Sequence, residues 1–169
     1  SPGQSTGLSG AQNGGVFVGM LAVGIAATGL RIGSLRMWVM AGCVGSALAL
    51  AVIAALGQTG GALVPAVVAL GFFNGVFAVA AIGSMMALAG EGRDAREGTR
   101  MGLWGAAQAL AAGFGGLVGA AAVDALRFSL DAPDAFGAVF ALEAALFCVA
   151  AMIAAKVIVG RGGAIRATG

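Results

Sequence analysis

Five side chains in the apolar stretches of this sequence have chemistry to offer: the carboxyl of Glu143, the carboxamides of Asn74 and Gln108, and the thiols of Cys43 and Cys148. Glu143 is the sharpest of them. Its place in the last apolar stretch puts it about 11 Å along a helix axis from the outer end, at about 1.5 Å per residue. A charged carboxylate at that depth costs several kcal/mol unless it is protonated, paired or hydrated, so it must face something. Phe136, Phe140 and Phe147 share its stripe at spacings of four, three and four, while Gly137, Ala141, Ala144, Cys148, Ala151 and Ala155 form a neighbouring stripe suited to helix contact. An acid among phenyl rings fits three roles: a proton-coupling site, a polar anchor for an amphipathic ligand, or a protonated acid bonded to a carbonyl. The residues leave all three open.

Gln108 lies on a stripe with Gly105, Ala112, Gly115 and Gly119, and Asn74 stands between Gly71 and Gly75. Both amides should face another helix or a cavity, where an interhelical hydrogen bond contributes about 0.6–2 kcal/mol. Structural glue is the simpler reading and substrate contact the alternative. The pairs Gly15/Gly19, Gly29/Gly33, Gly71/Gly75 and Gly115/Gly119 have the spacing that lets helix backbones approach in a membrane. Cys43 and Cys148 lack a CxxC or Cys/His context and read as small buried hydrophobes. The sequence contains no histidine, the commonest metal ligand and general base. No metal site and no catalytic constellation is expected, so an enzyme is not.

These groups have to be carried by membrane helices. From Met37 to Gly90 there is no Asp, Glu, Lys or Arg, and a hydrocarbon layer of about 30 Å needs roughly 20 helical residues per crossing. The composition agrees: 60% hydrophobic, 9% charged, mean hydropathy +1.00 and 31 glycines. Strand-type alternation is absent. A net charge of +2, scattered among loops, offers no face for nucleic acid. The fold class expected is all-α, a polytopic transmembrane bundle with spans at 14–30, 37–56, 62–89, 101–123 and 136–157. A polar segment, 1–13, precedes them and a tail, 158–169, follows.

Eight basic residues (Arg31, Arg36, Arg93, Arg96, Arg100, Lys156, Arg161, Arg166) fall on one side of these spans and Arg127 alone on the other. The crowded side is the cytoplasmic one by the positive-inside rule. The carboxyl terminus and tail then lie inside and the polar amino-terminal segment outside. Trp38 and Trp104 sit where cytoplasmic interfacial anchors belong. Arg93, Arg96 and Arg100 belong to a cytoplasmic loop, Gly90 to Arg100, that reads as a solvated hinge. Five spans is an odd number, and the first residue is not Met; the chain has the look of the last five helices of a six-helix half, with one helix upstream.

The run Met101-Gly-Leu-Trp-Gly-Ala-Ala-Gln108, continued by Gly113, Gly115 and Gly116 and closed by Asp124 and Arg127, with Arg96-Glu-Gly98-x-Arg100 before it, resembles the PucC/LhaA family of light-harvesting complex assembly proteins. These are major-facilitator-type membrane proteins of photosynthetic bacteria. The resemblance implies a twelve-helix protein of the inner, intracytoplasmic membrane, of which this chain is helices eight to twelve. Arg31-Ile-Gly33-Ser-Leu-Arg36 then occupies a turn where facilitators carry a G-x-L-x-D-R-x-G-R-R type signature, here without its acid. The implied role is to deliver or retain bacteriochlorophyll while antenna polypeptides assemble. The implied partners are antenna polypeptides, membrane lipids, bacteriochlorophyll held transiently together with its synthesis enzymes, and carotenoid.

Two function classes follow, an antenna assembly factor and a facilitator-type transporter of a small or amphipathic solute. A transporter lines its cavity with several polar groups near the midplane. Here only Asn74, Gln108 and Glu143 offer themselves, with hydroxyls such as Ser46 and Ser84, and the balance favours assembly. The candidate ligand or partner residues are Glu143, Phe140, Phe147, Gln108, Asn74 and Trp104. Gly71, Gly75, Gly115 and Gly119 are the expected packing positions.

Overall fold

Long apolar segments rich in Gly and Ala can satisfy their backbone groups in a bilayer only internally, and the helix does this within one segment. The computed structural model describes the backbone at 2–59, 62–90 and 97–166 and the side chains at 6–27, 29–59, 62–87 and 98–156. The protein is all-α over these residues, with helices α1 (Pro2–Val23), α2 (Leu35–Thr59), α3 (Val64–Gly90), α4 (Glu97–Leu126) and α5 (Ala132–Arg166). All five contain a stretch long and apolar enough to cross a membrane: Thr6–Ala27, Leu35–Thr59, Val64–Ala87, Gly98–Leu126 and Ala132–Lys156. A multi-pass membrane protein in contact with lipid is the consequence.

The helices run past the spans expected from hydropathy. The clearest difference lies at the amino terminus, where 1–13 was expected as a separate polar segment and α1 instead begins at Pro2. Gly, Ser and Thr there are weak helix formers, but packing decides: Leu8 packs on the cluster of Ile53, Ala66 and Val67, and the Gln12 carbonyl lies against Gly71 of α3. After Val23 the helix widens into a π-helical turn, Gly24–Gly29. The chain then reverses through Arg31 (φ 52°) and Gly33 (φ 75°).

That reversal is well determined. Ser34 caps α2, its hydroxyl accepting the Met37 N–H at 3.2 Å. The Trp38 indole donates to the Ile32 carbonyl at 2.9 Å, and a Cβ on Gly33 would overlap the Met37 methyl. Arg36 reaches the other end of the sequence, its guanidinium donating to the Ala155 carbonyl at 3.1 Å. One turn thus ties α1, α2 and α5 together on a single side of the bundle.

α1 packs on α3, and α2 is held between α3 and α5. α4 touches α3 and α5 only sparsely. The α1–α3 contact is made by glycine against backbone. A Cβ on Gly15 or Gly19 would overlap the Val68 or Phe72 carbonyl oxygen, and one on Gly71 or Gly75 would overlap that of Gln12 or Val16. On α2, Gly42 and Gly45 make room for Phe77 and Phe73 of α3. Two apolar clusters fill the centre. Val39, Cys43, Ala80 and Ala151 meet Trp38, Phe77 and Phe147, while Ile53, Ala66 and Val67 meet Leu56, Leu63 and Phe140.

Candidate functional site

The site is best built from α5, because Glu143 lies on it. Glu143 is half-buried and opens onto two hollows. Toward the α4–α5 turn a cleft of about 350 Å³ separates α5 from α4; its α4 wall is Gly115, Gly116 and Gly119, and Phe136 and Phe140 form the α5 wall. Asp124 and Arg127 stand at its mouth beside that turn. In the other direction Leu146, Phe147 and Ala150 line a shallower hollow of about 270 Å³. Phe136 and Phe140 are tilted neighbours, with ring centroids 6.4 Å apart. Glu143 makes no hydrogen bond or ion pair with another described residue.

The other expected residues are distributed differently. Asn74 is engaged in the bundle interior, where its Oδ1 accepts a hydrogen bond from the fully buried Ser46 hydroxyl at 2.9 Å. This joins α2 to α3 and takes up one of the few polar groups that could have lined a cavity. Gln108 lies on the uncovered surface of α4, and Trp104 is partly covered near the start of that helix. Arg100 is exposed on α4, while Arg93 and Arg96 lie outside the described residues. Cys43 is buried in the core, and Cys148 is exposed.

Two expectations need correction. Gly115 and Gly119 were expected to bring helix backbones together, as Gly71 and Gly75 do. A Cβ on Gly115 would meet nothing within 4 Å, and one on Gly119 would meet only Glu143 Oε1, at 3.9 Å. Phe136, Phe140 and Glu143 stand across an open cleft from these glycines, and no close helix contact forms there. The second correction concerns the single face expected for Phe140 and Phe147 with Glu143: Phe140 lines the cleft on one side of Glu143 and Phe147 the hollow on the other. The two rings are partly buried in different core clusters, one on each side of Glu143. Their i, i+7 separation is two helical turns, enough to reach separate layers of the bundle.

The sequence reading did not assign Asp124 and Arg127 to the site. Their spacing of three puts Asp124, in the last turn of α4, and Arg127, just past the helix end, on one face, and Phe136 returns beside them after the short turn at 127–131. Helix spacing was a usable signal for the pair; that α5 folds back onto the same face was not in the spacing. At the carboxyl-terminal end of α2, the Gln58 amide lies 3.5 Å from Asp134 Oδ1, next to Gly137. This small polar contact closes the α2–α5 seam.

The arrangement suits binding. It offers a carboxyl in an apolar cleft, a flat glycine wall, aromatic rings opposite and a charged mouth. The described residues contain no cluster of three or more His, Cys, Asp or Glu able to hold a metal ion by themselves.

No solved structure matches the chain. Among curated proteins it is similar to the bacteriochlorophyll synthase 44.5 kDa chain of Rhodobacter capsulatus, 68% identical over 163 residues, which is 96% of this chain and 38% of that protein. The chain therefore spans about two-fifths of the length of this relative. The family model described as PUCC protein matches residues 1–162, from the first turn of α1 through nearly all of α5. A match over the whole helical bundle, not over one motif, means that the chain belongs to the PUCC protein family.

Proposed function

We propose that this chain is part of a membrane assembly factor for bacterial light-harvesting antenna complexes, binding antenna helices and handling bacteriochlorophyll during their assembly. The observation that carries this reading is the family match across 1–162. A relative at 68% identity has a name that concerns bacteriochlorophyll, which supports a pigment-related role. The geometry suits it: antenna polypeptides are single apolar helices, and α4 presents Leu103, Leu110, Phe114 and Leu117 with little covering them. The role is non-catalytic, with the cleft beside Glu143 as a place to hold a ligand. The location is the inner, intracytoplasmic membrane, with the carboxyl terminus in the cytoplasm, as the distribution of basic residues indicates.

Deleting the gene in its photosynthetic host tests the reading. Antenna complexes should fall while the enzymes of bacteriochlorophyll synthesis stay active in extracts. Loss of a synthesis activity that the purified protein restores would overturn it in favour of an enzyme. A reporter fused after Thr168 should be cytoplasmic and one inserted near Pro133 external; finding both on one side would break the topology.

A further inference from the structure

We infer that the α4–α5 cleft is the seat of a magnesium tetrapyrrole, with the Glu143 carboxylate as axial ligand to the metal and Phe136 and Phe140 against the ring. The inference rests on the pigment-handling reading above and assigns it a site. It begins from an electrostatic deficit: Glu143 lies within a membrane span, lines two hollows and has no hydrogen-bond or ion-pair partner among the described residues. A carboxyl so placed requires a cation, a donor or water, and an occupant of the cleft can supply the first.

Shape narrows the occupant. One wall is bare glycine backbone at Gly115, Gly116 and Gly119, and two phenyl rings stand opposite. Such walls accept a broad apolar plate. The second hollow continues from the same carboxyl along Leu146, Phe147 and Ala150, which gives an apolar track suited to a hydrocarbon tail. At the mouth, Arg127 and Asp124 can meet polar substituents on the rim of the plate.

Charge narrows it further. The one polar group placed along the cleft between its two ends, the Glu143 carboxyl, is a hard oxygen donor. Magnesium prefers oxygen ligands of that kind. A ring-bound magnesium has an open axial position, which a Glu143 oxygen lone pair fills by displacing water; no electron or proton need change hands. The chain has no histidine to compete for that position.

The test compares two probes on the full-length protein in lipid nanodiscs: bacteriochlorophyll and the same ring without its metal. Absorption and fluorescence titrations report binding, and the metal-sensitive visible band reports axial ligation. Wild type should favour the magnesium ring by about tenfold, equivalent to roughly 1.4 kcal/mol. Glu143→Leu should abolish that preference while still binding both rings weakly, and Glu143→Gln, which keeps a carbonyl oxygen, should retain part of it. Gly115→Leu should fill the cleft and exclude both rings.

Equal affinity of wild type for the two rings, or an undiminished preference in Glu143→Leu, overturns the inference. So does unchanged binding in Gly115→Leu, since the ring would then sit elsewhere. If Glu143→Leu fails to fold, the two-ring comparison on wild type and Glu143→Gln still decides. Wild type that binds neither ring, in a host where gene loss still lowers antenna complexes, removes the seat and leaves the assembly reading standing. A magnesium preference carried by Glu143, with antenna levels untouched by gene loss, does the reverse.

Discussion

α1 and α3 meet backbone to backbone, whereas α4 and α5 face each other across an open cleft, although α1, α3 and α4 all carry the same Gly-x-x-x-Gly spacing. The difference lies in what stands opposite. Gly15 and Gly19 lie against the main chain of Val68 and Phe72, and Gly71 and Gly75 against that of Gln12 and Val16, so glycine meets backbone from both sides. Gly115 and Gly119 are answered by Phe136, Phe140 and Glu143, and the glycines become the wall of a hollow. The spacing permits close approach and does not cause it; van der Waals packing needs a complementary face. The first pair holds the bundle together, and the second leaves room for an occupant.

The comparison is broken or sharpened first by adding bulk to glycines. Gly19→Leu or Gly75→Leu should abolish folded protein, read as loss of a monodisperse detergent-solubilised peak, because the new side chain meets backbone that cannot turn aside. Gly19→Ala should cost about 1–3 kcal/mol as overpacking, measured by thermal unfolding. Gly115→Leu should leave the unfolding midpoint nearly unchanged. Equal damage at Gly75 and Gly115 would erase the distinction between the two helix pairs.

Phe147→Ala should come next in size. The ring packs beside Val39, Cys43 and Ala151, so its loss should destabilise the α2–α5 seam by less than the roughly 3–5 kcal/mol of a fully buried phenylalanine. An unfolding midpoint equal to wild type would instead restore the face to partner binding. Ser46→Ala, which removes the hydroxyl bonded to Asn74, should cost about 0.6 kcal/mol and at most roughly 1.7. The smallest effect belongs to α4. Leu117, 67% exposed, can become Ala with a change within about 0.5 kcal/mol. A larger loss of stability in Leu117→Ala would mean that this face is packed after all; lower antenna assembly at unchanged stability would mark it as the docking surface.

Much of the fold was legible because membrane helices announce themselves by length and hydropathy. The five apolar stretches need no tertiary information, since every backbone group of a spanning helix is satisfied within the helix. The boundaries were less legible. Residues 1–13 are polar enough to look like an external segment, and it takes the packing of Leu8 on Ile53, Ala66 and Val67 and of the Gln12 carbonyl on Gly71 to show why 2–13 join α1. In the candidate site, the need for Glu143 to face something was legible from its depth. Asp124 and Arg127 were overlooked because their relevance depends on α5 folding back beside the end of α4.

The sequence by itself determined that the chain is a helical membrane protein, that its basic residues gather at the ends of apolar stretches, and which family motif leads into α4. These are one-dimensional properties: hydropathy summed over a helix length, charge at the ends of spans, residue types at a fixed spacing. Tertiary structure alone decided that one Gly-x-x-x-Gly pair is a contact and another a cavity wall. It also decided that Asn74 is taken up by Ser46, that Phe140 and Phe147 serve different clusters, and that α4 stands apart. Each depends on the identity of the surface brought opposite, and residue spacing within one helix does not encode its neighbour.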